Sequence, residues 1–162
     1  MVEKANLFND NGRIMKLNIP PNYFYLALVL STVLYFLFPQ YNTLSVPWNL
    51  AGLLLVIPGL YLIIHSWKVF MRNGTPENYV DRPQVVVSDG VYRYSRNPMY
   101  VGAVATSFGL CLVLRGNLLS FIGPVFLFLV LQLVFIPYEE RQMIGIFGDE
   151  YRNYMRKVRR WI

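Results

Sequence analysis

Two polar clusters in an otherwise apolar chain carry the residue types that chemistry needs. The first is Gly90-Val91-Tyr92-Arg93-Tyr94-Ser95-Arg96-Asn97-Pro98-Met99-Tyr100-Val101-Gly102, cationic and aromatic, which ends abruptly in an apolar run. The second, Glu139-Glu140-Arg141, follows the next long apolar run. Pro98 suits the first turn of a helix, whose amide hydrogens have no partner within it. Such an end attracts a carboxylate or phosphate, and Arg93 and Arg96 reinforce the attraction. Tyr92, Tyr94 and Tyr100 offer flat faces to an aromatic ring, and Glu139 and Glu140 offer carboxylates to an ammonium or other cation. A ligand with a carboxylate, an amine, a positive centre and an aromatic base meets all of these, and S-adenosylmethionine is such a ligand. The same residues also read as membrane-interface anchors and a solvated charged face. Spacing alone leaves both readings open.

The rest of the chain reads as the scaffold that must bring the clusters together. Its 162 residues suggest one domain, 1–162. Hydrophobic residues make up 55% and charged residues 15%, against about 45–50% and about 25% in soluble domains. The apolar residues come in blocks, which points to membrane spans at 23–38, 48–69, 99–114 and 118–137. Pro58-Gly59 is expected to kink the second span. In the third span, Gly102, Ala103, Ala105, Ser107 and Gly109 are small enough for close helix approach. The connection 68–98 is the longest polar segment, with an extended Val85-Val86-Val87 and a Ser88-Asp89-Gly90 turn. In the tail, 138–162, Asp149 is a candidate N-cap. After it, Tyr151, Tyr154, Met155 and Val158 recur at helical spacing, which predicts an amphipathic helix lying on the membrane surface. The expected fold is therefore all-α and integral to the membrane, with about four transmembrane helices plus that surface helix.

The net charge of +6 raises the question of nucleic acid, but the basic residues flank apolar runs, where anionic lipid headgroups are the natural partner. Basic residues lie in segment 1–22, in 68–98 and in the tail, with Arg115 the exception. With four spans those three segments share one side, expected to be the cytoplasm, so both termini are expected there. The membrane would be the inner membrane of a prokaryote or the endoplasmic reticulum of a eukaryote. Segment 1–22 has no apolar core of signal-peptide length, so the first span is expected to direct insertion. Cys111 is the only cysteine, which excludes an intramolecular disulfide and a cysteine-based metal site. No metal site is expected, and oligomeric state is not legible.

The order Gly90-Val91-Tyr92, Arg96-Asn97-Pro98-Met99-Tyr100-Val101-Gly102, Glu139-Glu140 and Phe147-Gly148-Asp149-Glu150-Tyr151 resembles the isoprenylcysteine carboxyl methyltransferase and phospholipid methyltransferase superfamily. The resemblance implies a small integral-membrane enzyme that uses S-adenosylmethionine. It also implies that Gln84, Val85, Val86, Val87, Tyr92, Arg96, Asn97, Pro98, Met99, Tyr100 and Glu139 bind the cofactor. Asn97 stands where the family has histidine. Phe135 stands where prenylcysteine enzymes carry an arginine for the substrate carboxylate, which makes it a substrate-binding candidate and favours a neutral or cationic acceptor head.

The implied reaction is in-line displacement at a sulfonium methyl, with alignment and desolvation as the protein's main contribution. An amine acceptor must lose a proton, and Glu140 or Tyr100 are the catalytic candidates. The expected acceptor is amphipathic and lipid-like, entering between spans past Phe135, Ile136, Val101 and Ala105. Two other classes compete: a relative of the NADPH-dependent sterol reductases, and a non-enzymatic four-helix membrane protein. Against the latter, only Gln132 and the edge-lying His65 are polar pathway candidates within the spans.

Overall fold

A computed structural model describes residues 19–72 and 85–162. Gln84 lies outside the described residues. Helix α1, Pro20–Leu37, starts on two prolines, and Pro39 follows its end. A 3₁₀ segment, Trp48–Gly52, leads into α2, Leu53–Arg72, which carries Pro58 in its interior. Helix α3, Pro98–Val113, opens on its proline as expected. A further helical stretch runs through α4, Ile122–Val130, a π segment, Leu131–Phe135, and α5, Ile136–Phe147. Pro137 accounts for the π segment: it has no N–H to donate, and its ring crowds the preceding turn. Gly148, at φ 55°, adopts a conformation that favours glycine and so separates α5 from α6, Asp149–Lys157.

No strand occurs among the described residues, and the chain is an all-α membrane protein. Pro20–Leu37, Trp48–Arg72 and Leu119–Phe147 are long and apolar enough to cross a membrane. Expected span 99–114 is the shorter helix α3, whose 16 residues extend about 24 Å at 1.5 Å per residue.

The helices pair antiparallel. Helix α2 packs mainly on α3, with Gly52 opposite Gly109 and Gly59 opposite Gly102. A methyl group at Gly102 would sit 2.6 Å from the Gly59 carbonyl oxygen, and one at Gly109 would sit 2.7 Å from that of Gly52. The small residues read from the sequence thus let two backbones touch. Helix α1 packs on α4 and on the 3₁₀ turn before it, Leu119–Phe121, where Ser31 Oγ donates to Ser120 O and Ser120 Oγ donates to Ser31 O, both at 2.8 Å. Cys111, fully buried, donates its thiol hydrogen to Ser120 O at 3.2 Å, so it is part of this packing.

One end of the bundle is tied by turns. The amides of Thr43 and Leu44 donate to Arg115 O. Asn117 Nδ2 donates to Phe38 O at 2.8 Å and to Asn42 Oδ1 at 2.9 Å. The start of α1, the end of α2, the start of α3 and the α5–α6 junction therefore gather at the other end, and both polar clusters are there.

The sequence assigned the apolar stripe of α6 to lipid, and the structure corrects this. Tyr151, Tyr154 and Val158 are buried against Val86, Met143, Ile144 and Phe147, and Tyr154 Oη donates to Tyr92 O at 2.7 Å. Protein covers the stripe, leaving Arg152, Arg156, Lys157 and Arg159 exposed.

Candidate functional site

The site forms where the start of α3 meets the start of α5. Tyr100 lies in the first turn of α3, and its hydroxyl donates to Glu139 Oε1 at 2.5 Å. Tyr23, Ala103, Val104 and Phe135 pack with Tyr100 around Ala27, Leu127 and Leu131. Tyr23 and Phe135 meet edge to face with centroids 5.2 Å apart. The Tyr100–Glu139 pair is thus bounded on one side by apolar and aromatic groups.

Glu140, one residue on, points elsewhere. It is 7% exposed and accepts from Arg160 Nη2 at 2.6 Å and Arg160 Nε at 3.1 Å, a two-pronged ion pair. Arg96 Nη1 lies 3.0 Å from Glu140 Oε1 on the other side. The sequence reading offered Glu140 or Tyr100 as a candidate base. In the structure Glu139 accepts from the Tyr100 hydroxyl, and Glu140 pairs with two guanidinium groups. Successive residues on a helix point about 100° apart, so adjacent glutamates cannot serve one partner equally.

Of the remaining expected residues, Asn97 joins the site and Pro98 is fully buried at the helix start. Met99 is half-buried. Val86 backs α6. Val87 and the Tyr92 ring are buried with Val69 in a separate cluster, so Tyr92 presents no open ring face to the site. Val85 is exposed. Ile136, expected along a lateral route, is fully buried, and Tyr23, Ala103 and Val104 flank Tyr100 and Phe135 instead.

Residues outside the expected site set also join it. Arg160 and Trp161 return from beyond α6. The Arg160 carbonyl accepts from Asn97 Nδ2 at 2.9 Å, and the Arg159 carbonyl accepts from the Arg96 amide at 2.9 Å. Trp161 Nε1 donates to Gln132 Oε1 at 2.8 Å, within the π segment. Tyr151 is buried beside Arg96; burial pushes its hydroxyl up to about 12, against the pull of the guanidinium. Tyr154 is also pushed up by burial. The available signal for the tail was Trp161, a large apolar ring directly after two arginines.

Arg96 supplies the fit test for the implied cofactor. Its side chain is 9% exposed, yet Nε and Nη1 make no hydrogen bond among the described residues, Nη1 meeting Glu140 only as a charge. A buried donor edge of this kind suits a carboxylate, because leaving it unbonded is costly. The Glu139 carboxylate, held by one hydroxyl, has acceptor capacity for an ammonium.

A helical membrane bundle with a buried guanidinium–carboxylate cluster beside a tyrosine–carboxylate pair defines a class: integral-membrane proteins with a buried polar cluster at one end of the helices. The chain belongs to the phospholipid methyltransferase family, whose model matches residues 47–150. It is 27% identical over 124 residues to methanethiol S-methyltransferase 1 of Bradyrhizobium diazoefficiens, covering 74% of this chain and 41% of that protein. Protein-S-isoprenylcysteine O-methyltransferase of Schizosaccharomyces pombe is 36% identical over 81 residues, 48% of this chain and 33% of that one. Methanethiol S-methyltransferase of Mycobacterium tuberculosis is 34% identical over 68 residues, 42% of this chain and 26% of that protein. The chain thus spans less than half the length of these relatives. No solved structure matches it.

Proposed function

We propose that the protein transfers a methyl group from S-adenosylmethionine to an amphipathic, lipid-like acceptor. The observation that carries this is the buried Arg96 donor edge and the Tyr100–Glu139 pair at one end of an apolar bundle. When bound, the cofactor would supply a methyl on a sulfonium sulfur, open to displacement by an acceptor's electron pair with a neutral thioether as leaving group. Arg96 would bind the carboxylate through its unbonded donor edge. Glu139 would bind the ammonium. Asn97 holds the C-terminal residues over the helix start through Arg160 O.

Tyr23, Phe135, Ala103 and Val104 exclude water beside Tyr100 and seat the apolar part of the acceptor. Each methylene buried there contributes about 0.8 kcal/mol. A carboxylate or thiolate acceptor needs no base. For an amine acceptor, the proton passes to the Tyr100–Glu139 pair, Glu140 being engaged with two guanidiniums. The site opens toward the cytoplasm in this reading, because the exposed basic residues of α6 share its end of the bundle. Labelling of single cysteines at Arg115 and Asn153 in a Cys111→Ala background must then report opposite sides of the membrane.

The decisive assay is methyl transfer from labelled cofactor to host membrane lipids, prenylcysteine analogues, small amines and small thiols, alongside calorimetry with S-adenosylhomocysteine and with NADPH. Binding of S-adenosylhomocysteine with turnover of a lipidic acceptor is expected. Turnover confined to a small thiol removes the lipid-like acceptor but keeps the transferase. Binding of NADPH alone removes both.

A further inference from the structure

The residues after α6 do more than end the chain. Arg159 and Arg160 offer their carbonyls to the Arg96 amide and Asn97 Nδ2 at the start of α3, at 2.9 Å each. The Arg160 guanidinium then reaches α5, gripping both oxygens of Glu140. Trp161 reaches the π segment, donating Nε1 to Gln132 and setting its ring 5.0 Å from that of Phe128. A single short stretch thus bridges the two elements that present Tyr100 and Glu139. These residues also lie beyond the match to the family, which ends at residue 150.

We infer that Arg160 and Trp161 form a strap that positions Glu139 against Tyr100, with Arg160 a positioning residue for the cofactor site. A π segment carries a widened turn, and any change in its winding rotates everything after it. Glu139 lies just past it, so its direction depends on the rotation of α5. Arg160 fixes that rotation through Glu140, and Trp161 fixes the widened turn itself through Gln132. Without the strap α5 is free to turn, and the Tyr100–Glu139 hydrogen bond is no longer enforced. The inference rests on the methyltransferase reading for its readout and adds a positioning role for Arg160 and Trp161 that the reading does not assign.

The test compares Arg160→Met, Arg160→Lys and Trp161→Phe in the full chain, purified in detergent, by calorimetry with S-adenosylhomocysteine and by KM and kcat for methyl transfer. Arg160→Met is expected to weaken S-adenosylhomocysteine binding at least tenfold, and Arg160→Lys is expected to restore part of it by keeping the charge. Trp161→Phe keeps an aromatic ring near Phe128 and loses the Gln132 bond, so it is expected to fold normally and lower kcat threefold or more, with little change in acceptor KM. A merely structural strap would lower the unfolding temperature in all three while leaving affinity and kcat per folded molecule unchanged, which overturns the proposal. If Arg160→Met does not fold, Trp161→Phe decides on kcat alone, and an unchanged kcat overturns it. Native protein that binds no S-adenosylhomocysteine overturns the methyltransferase reading itself; native protein that binds it as tightly as folded Arg160→Met overturns only the strap.

Discussion

Replacing Glu140 with methionine tests whether the carboxylate between Arg96 and Arg160 is structural. The substitution keeps volume and removes the only charge that neutralises Arg96 among the described residues. Breaking a buried ion pair by deleting one partner costs about 3–5 kcal/mol, because the remaining charge stays buried. The two arginines do not share that cost equally. Arg160 is 32% exposed at its side chain and can turn to water, whereas Arg96 is 9% exposed and cannot. The lower end of the range, about 3 kcal/mol, is therefore the expected loss. For a chain of this size that corresponds to a fall of about 6–12 °C in unfolding temperature, read by circular dichroism in mild detergent. The double variant Arg96→Met/Glu140→Met removes the stranded charge and should recover most of the loss. Native-like unfolding of Glu140→Met, or a double variant no better than the single, would refute the assignment.

The neighbouring glutamate should behave differently. Glu139→Ala is expected to leave unfolding within about 1 kcal/mol of native, the worth of one hydrogen bond, while weakening S-adenosylhomocysteine binding more than Glu140→Ala does per folded molecule; calorimetry on both variants checks this, and equal small effects would contradict it. Gly109→Leu should force α2 and α3 apart, because even a methyl group there lies 2.7 Å from the Gly52 carbonyl oxygen. A loss of about 1–3 kcal/mol or more is expected, and unchanged unfolding would show that the two backbones do not touch.

What was legible in the sequence followed from periodic or punctuating residues. Apolar blocks gave the long helices, Pro98 gave a helix start, and Gly102 and Gly109 gave a close-packed face. The clusters around Arg96 and Glu139 were found because charge inside an apolar chain is costly enough to need a reason. Their internal wiring was not legible. Which glutamate meets Tyr100 depends on rotation through the π segment, and no local pattern at Leu131–Phe135 announces the widened turn except Pro137 after it. The strap was hidden for a different reason. Arg159 and Arg160 look like solvated charge, and only the long-range pairing of Arg160 with Glu140 shows one of them turned inward. The stripe of α6 was read correctly as apolar but given to lipid, since a sequence shows that a face must be covered without showing by what.

The serine exchange between α1 and the turn before α4 has a consequence for biogenesis. Ser31 and Ser120 are 89 residues apart in sequence. At synthesis rates of about 5–20 residues per second, α1 waits about 4–18 s for its partner to be made. Helices α2 and α3, neighbours in sequence, can close on their glycines during that interval. The order of synthesis thus favours the inner α2–α3 hairpin over the outer α1–α4 pair. Until residue 120 is made, the α1 face around Ala27 and Ser31 lacks the partner that covers it in the finished bundle.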